Sequence, residues 1–286
     1  MTFVVAGISG NTGSVVAETL LARGENVRVV VREASAAAPW AARGTDVAIA
    51  DLEDASALGR ALRGARGAYL LIPPSFTAPS LRVHQTNVAR SLAAAALESA
   101  VGHVVLLSGF AAHRDNGSGP LAGLHDAERL LGAVPGLRLS SIRAGYFYEN
   151  VFPVLSVVKD AGVLPSFFPA QLPVPMVATR DIGLLAADLL LDPMSRGVVE
   201  LGSGLTYAEI ARVLGGMLGK PVRVDEIAPD AILPLIASLG FNADLTNAYV
   251  ELITGIRSGA LAFEGGHRHV RASTPLDAVF RAPIAE

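Results

Sequence analysis

The chain has 286 residues, of which 51% are hydrophobic and 17% charged, with a formal net charge of -3 and no cysteine. That length suits one large α/β domain or such a domain with a smaller lobe, and the apolar share supplies a sizeable core. The charge gives no field that would gather nucleic acid or an anionic membrane, and without cysteine there is no disulfide, thiolate nucleophile or thiolate metal site.

No apolar run reaches the ~18 to 20 residues that a membrane helix needs. Met1 and Thr2 lead straight into Phe3-Val4-Val5-Ala6, without the pattern of a signal peptide, so a cytoplasmic location is expected. Lysine occurs only at Lys159 and Lys220, which leaves few candidates for a catalytic lysine.

Short β-branched runs at 3–6, 27–31, 46–50, 67–72, 103–107 and 137–142 predict six strands, each followed closely by Gly, Pro, Ser or Asp. Between the first two, Val15, Val16, Thr19, Leu20 and Arg23 fall at helical spacing, with Gly24 closing the helix. The longest helix is predicted over 79–100. Strands alternating with crossover helices make a Rossmann-type, doubly wound, mostly parallel α/β sheet. After Ile142 the rhythm changes. Residues 145–178 are rich in Pro, Phe and Tyr and read as a loop-dominated excursion over the active-site face. Further strands at 174–177 and 198–201 bracket a helix at 181–191. A helix at 206–218, a strand at 222–226 and helices at 230–239 and 243–256 follow. The expected division is a dinucleotide-binding domain over 1–150, completed by about 174–202, and a smaller, mostly helical lobe from 151–173 and 203–286.

The strongest motif is Val4-Val5-Ala6-Gly7-Ile8-Ser9-Gly10-Asn11-Thr12-Gly13. Gly7 allows the tight turn off the strand, Gly10 the close approach of a pyrophosphate, and Gly13 the packing of helix on sheet. The amides and dipole of the helix start then hold the phosphates. Arg32 ends the second strand, where NAD binders usually carry Asp or Glu; its donors suit the 2′-phosphate of NADP(H). Glu33 leaves two other readings, Glu33 turned inward with Arg32 outward, or a solvated Arg–Glu pair on the strand end. Asp51 and Leu52, after the third strand, suit the adenine amino group and ring face, although Asp51 could equally cap the helix that starts near Asp54. Ile72 and Pro73, at the end of the fourth strand, are expected beside the ribose and nicotinamide.

Short-chain dehydrogenases that oxidise alcohols usually rely on Tyr-x-x-x-Lys. Four residues after Tyr69, Tyr146, Tyr148, Tyr207 and Tyr249 stand Pro73, Asn150, Phe152, Ala211 and Ile253, so that pair is absent. Hydride transfer to an electron-poor acceptor needs no such relay when the site aligns the partners and stabilises developing charge.

The chain resembles the NmrA-like group of atypical short-chain dehydrogenases, which includes NADPH-dependent quinone oxidoreductases, triphenylmethane reductases and, more distantly, isoflavone reductases. The resemblance rests on the glycine turn, Val31-Arg32, Ala50-Asp51-Leu52, Ser108, Leu124-His125-Asp126-Ala127-Glu128, and Ile142-Arg143-Ala144-Gly145-Tyr146-Phe147-Tyr148-Glu149-Asn150. It continues in Thr206-Tyr207-Ala208-Glu209-Ile210-Ala211, Leu218-Gly219-Lys220-Pro221-Val222 and Thr274-Pro275. It implies that Gly7 to Gly13 and Arg32 bind NADP(H), and that Ile72, Pro73 and the segment after Ser108 face the nicotinamide. Tyr146, Phe147, Tyr148 and Asn150 are expected at the acceptor pocket, with plain packing between lobes as the other reading of Phe147 and Tyr148. Isoflavone-reductase-like members carry a lysine where His125 stands, so His125 and Tyr148 become the catalytic candidates. The other reading of His125 is a helix-start histidine bonded to Glu128. Glu128 itself is expected to be structural. His267 and His269 share a strand face but lack a third metal ligand, so a solvated surface strand is expected and no metal.

The function expected is an NADPH-dependent reductase acting on a conjugated small-molecule acceptor such as a quinone or enone. The alternatives are an NADP(H)-binding redox sensor working through a regulatory protein partner, or a tailoring enzyme of secondary metabolism. A homodimer stays open.

Overall fold

Apolar strand runs alternate with Ala- and Leu-rich helices through the first half, and in the computed structural model, which describes residues 2–285, they build one twisted parallel sheet. The six expected strands are present as β1 (Thr2–Val5), β2 (Asn26–Val31), β3 (Asp46–Ile49), β4 (Ala65–Leu71), β5 (His103–Gly109) and β6 (Arg138–Ala144). Strands Gly197–Leu201 and Arg268–Val270 extend the sheet beyond β6 to eight strands, and β3 forms the other edge. Every pairing in it is parallel. From the central neighbours β1 and β4 the order runs outward in opposite directions, so the topological switch point lies between their C-terminal ends.

Side-chain alternation assigns the two faces. Phe3, Val5, Val29, Val31, Tyr69 and Val105 pack with helices Asn11–Ala22 (hereafter α1) and Thr179–Leu191. Their neighbours Val4, Ala6, Val30, Ala68, Leu70, Val104 and Leu106 pack with helices Ala55–Leu62, Leu81–Ser99 and Ala122–Gly132. A third core lies in the lobe, around Phe168, Met176, Ile210, Leu214, Ile253 and Phe280. Helices Tyr207–Leu218, Pro229–Ser238, Ala243–Arg257 and Leu276–Ala285 supply most of the lobe. None of the described helices is long and apolar enough to cross a membrane.

Two expectations are corrected. Strand Val174–Val177 does not complete the large sheet; it pairs with Tyr146–Phe147 and Ser203–Leu205 in a three-stranded sheet of its own. The stretch 145–178 is not mainly loop. It holds a 3-10 turn (Tyr148–Val154), a helix (Leu155–Ala161) and a strand (Val163–Ser166), pieces too short to show a period in sequence. The strand at His269 is exposed, as expected, and forms the edge of the main sheet, parallel to Gly197–Leu201.

Candidate functional site

The glycine turn follows β1. Gly7 has φ +67°, and a Cβ there would stand 2.5 Å from Leu71 Cδ2. At Gly13 a Cβ would meet the carbonyl oxygens of Gly7 at 2.4 Å and Ala6 at 2.6 Å, whereas at Gly10 it would meet only the Gly7 oxygen, at 3.4 Å. Gly13 is therefore demanded by helix–sheet packing, while Gly10 leaves open space in front of the helix. α1 begins without a side-chain cap and without an acid in its first turn, so its first amides face outward unmet, as an anion site requires. Ser9 and Asn11 are exposed at this mouth, but Thr12 is buried and its hydroxyl accepts a 2.9 Å hydrogen bond from Tyr69. Thr12 thus pins α1 to β4 through its side chain. Burial pushes the Tyr69 hydroxyl far above its ordinary pKa, which removes it from acid–base chemistry.

On the same edge of the sheet, a cavity of about 170 Å³ is lined by Arg32, Asp51, Leu52, Glu53, Pro73, Pro74, Ser75, His84 and Val88. Four residues singled out in the sequence, from the ends of three strands, meet here. Arg32 lines this cavity and Glu33 does not. Asp51 is not the helix cap: Asp54 accepts from Ala57 N at 2.9 Å and does that work, while Asp51 Oδ1 accepts from Glu53 N at 2.9 Å. Ile72, half-buried, packs back onto the core beneath.

The ends of β5 and β6 carry a more open basin of about 320 Å³ lined by His113, His125, Glu128, Arg129, Arg143 and Glu264. Arg143, 6% exposed, is held between two carboxylates. Its Nη2 donates to Glu128 at 2.8 Å and its Nη1 to Glu264. Burial alone would pull its pKa down, but the two carboxylates outweigh that and raise it. The hydrogen bond from Arg143 in turn holds the Glu264 carboxyl below its ordinary range. Ser108 donates to Glu128 at 2.6 Å, so its hydroxyl is committed to this network. His125 does not bond Glu128; its Nδ1 meets the Ala112 carbonyl at 3.0 Å, because Ser108 and Arg143 already occupy that carboxylate.

Tyr148 does not line the basin that His125 lines. It is 5% exposed and packs in the lobe core; burial, then Asp181 and Glu149, push its hydroxyl up to about 12. Tyr146 is likewise pushed up to about 12, by burial and then by Tyr249, with the Asn150 side chain acting the other way. Both phenols stay protonated near neutral pH and can donate a proton but not abstract one. Phe147 packs against the sheet core, and Asn150 is exposed.

Sequence reasoning missed the rings around Tyr146. Phe168 meets it edge-on at 5.5 Å, and Phe76, Phe241 and Tyr249 form a stacked series with centroids 5.8 and 5.7 Å apart. Phe76 lies on the loop after β4, at the switch point, and that loop is tied to the lobe. Asn242 Nδ2 donates to the Ala78 carbonyl at 2.8 Å, and Leu81 N donates to Asp244 at 2.7 Å. The only signal in the sequence was a lone Phe in an otherwise small-residue loop. His267 and His269 are spoken for, by Glu264 and by the Gly202 carbonyl, and no group of metal-ligating residues occurs among the described residues.

Comparison with known proteins fits this architecture. A model of the NmrA-like family matches residues 1–255. An NAD(P)H azoreductase from Xenophilus azovorans is 25% identical over 253 residues, covering 87% of this chain and 85% of that protein. Among solved structures, an NADPH-dependent quinone oxidoreductase from Escherichia coli, complexed with NADPH, superposes with TM-score 0.77 at 21% identity over the whole of both chains. A Citrobacter sp. triphenylmethane reductase complexed with NADP(H) superposes with TM-score 0.79 at 18% identity over 99% of this chain and 100% of that one. With its doubly wound sheet, its glycine turn and a family match over most of its length, the chain belongs to the NmrA-like family.

Proposed function

We propose that the protein is an NADPH-dependent reductase of a conjugated, electron-poor small molecule, acting in the cytosol. One observation carries this reading: Arg32, Asp51, Leu52 and Pro73, from the ends of β2, β3 and β4, converge on one cavity along the edge that bears the glycine turn. The residues present fit a dinucleotide, with open space before Gly10, uncapped helix amides and an arginine at the second strand end. The related proteins, named for reduction of azo compounds, quinones and triphenylmethane dyes, support the acceptor class.

In this reading the amides from Gly7 to Gly13, with Ser9 and Asn11 at the mouth, hold the diphosphate, and Thr12 fixes the helix through Tyr69. Arg32 takes the 2′-phosphate, and Asp51 and Leu52 take the adenine. Ile72, Pro73 and the β5 end at Ser108 border the nicotinamide side, with Ser108 acting by placing Glu128. The bound cofactor supplies two electrons as a hydride. The lobe formed by 151–173 and 203–286 covers the acceptor. Tyr146, with Phe76 and Tyr249, offers it flat apolar contact and Asn150 a polar edge, while Phe147 packs beneath on the sheet core. His125, on the wall of the basin, is the group able to return a proton, while Tyr148 lies in the lobe core and lends packing. The test is a panel of quinones, azo compounds and triphenylmethane dyes mixed with purified protein and NADPH, following absorbance of the reduced cofactor. Oxidation of NADPH with at least one class is expected, and background rates throughout would sink the reading.

A further inference from the structure

We propose that Phe76 sets the acceptor range of the site: it stacks on a second conjugated ring, and so favours acceptors that carry one over single-ring acceptors. This deepens the reductase reading above and rests on it.

Several aromatic side chains gather on the lobe side of the switch point, and exposure sets one of them apart. Tyr146 is half-buried and meets Phe168 edge-on at 5.5 Å. Phe241 lies between two rings, Tyr249 at 5.7 Å and Phe76 at 5.8 Å, with interplanar angles of 23° and 12°. Phe241 and Tyr249 are partly buried against the lobe core. Phe76 ends the stack: it lies on Phe241 and is still 52% exposed. It is the only aromatic among the exposed large apolar side chains of the described residues. A ring fixed in a stack with one side left to water offers the stack's next place to a flat ligand.

Its position in the chain says which ligand. Pro73, Pro74 and Ser75 line the cavity assigned above to the dinucleotide, whereas Phe76, the next residue, turns from that wall to the lobe. The loop is thus a partition, with cofactor on one side and acceptor on the other. Three residues carry the backbone at most about 11 Å from Pro73, on the nicotinamide side, to Phe76. An acceptor of two or three rings spans a gap of that order with its first ring on the nicotinamide; one ring alone covers only the near part. The loop is also held before any acceptor arrives. Asn242 Nδ2 donates to the Ala78 carbonyl and Leu81 N donates to Asp244, which ties the loop to the segment that supplies Phe241. A ring so placed gives up little freedom when a ligand stacks on it.

The experiment uses protein loaded with NADP+, which has no hydride to give, so that binding is read without turnover. Calorimetry compares naphthoquinone with benzoquinone. Wild-type protein is expected to bind the two-ring quinone about tenfold or more tightly. Phe76→Leu keeps apolar bulk but removes the π face; naphthoquinone affinity should fall about three- to tenfold, with benzoquinone affinity held within about twofold. Phe76→Trp should bind naphthoquinone at least as tightly as the wild type. The side chain is exposed, so both variants should fold, and unchanged urea midpoints check this. An unaltered naphthoquinone affinity in Phe76→Leu, or an equal fall for both quinones, overturns the assignment. So does sedimentation showing a dimer that Phe76→Leu dissociates, since a second copy would then cover the ring. Wild-type protein that oxidises NADPH with none of the quinones, azo compounds or dyes sinks the reductase reading itself.

Discussion

The glycine turn separates two demands that the sequence presents as one motif. A Cβ on Gly13 would run into the Gly7 and Ala6 carbonyl oxygens, whereas one on Gly10 meets a single atom at ordinary distance. Gly13→Ala is therefore expected to cost about 1–3 kcal/mol of stability, seen as a lower urea midpoint. Gly10→Ala should leave that midpoint nearly unchanged and still weaken NADPH by about tenfold or more, because the added methyl stands where a phosphate must approach. Equal losses of stability in the two variants would contradict this division. Arg32 was legible at the same scale because its position depends only on where one strand ends. The rest of the wall beside it was not, because Glu53, His84 and Val88 reach the cavity through tertiary contacts that no local pattern encodes. The partner of His125 was misjudged for the same kind of reason: proximity along a helix favoured Glu128, and the buried Arg143 had already taken it.

Elements with a strong period were read correctly, and so were the short strands at 174–177, 198–201 and 222–226, whereas the shortest pieces were missed. β5 and the helix Leu81–Ser99 stand where apolar runs and helical spacing place them. The strands Tyr146–Phe147 and Ser203–Leu205 have two and three residues, too few to show alternation, and exist because Val174–Val177 offers an edge on each side. One join between elements rests on a single carboxylate. Asp181, 5% exposed in the first turn of the helix Thr179–Leu191, accepts from Ser273 N, Ser273 Oγ, Thr274 N and Thr274 Oγ1 at 2.7 to 3.1 Å. Asp181→Ala strands four donors and should lower stability by about 2–4 kcal/mol in urea unfolding. A loss within about 0.5 kcal/mol would show that water replaces the carboxylate there.

At the scale of the molecule, stability should fall on the acid side for an identifiable reason. Burial and then Arg138 pull the His103 imidazole from 6.5 down to about 4, and its Nε2 meets Ser140, which in turn bonds Ser195. Between those values the unfolded chain binds a proton that the folded chain refuses, so stability is full above about pH 6.5 and drains away as pH falls toward 4. Replacing the ring by His103→Gln should flatten this part of the pH profile, as read from urea midpoints near pH 7 and pH 5. A profile of unchanged slope would assign the acid loss to other groups.

The family match ends at residue 255, yet much of what closes the fold comes later. Glu264 is the second carboxylate on Arg143, Arg268–Val270 is the sheet edge, Ser273 and Thr274 satisfy Asp181, and Phe280 is fully buried in the lobe core. On the ribosome, then, the sheet and helices of the first half can assemble as they emerge, but Asp181 and Arg143 wait for counterparts made last. The native state is sealed only after synthesis has passed these residues, and a nascent chain paused short of them carries Asp181 without its four donors and Arg143 with only Glu128 of its two carboxylates.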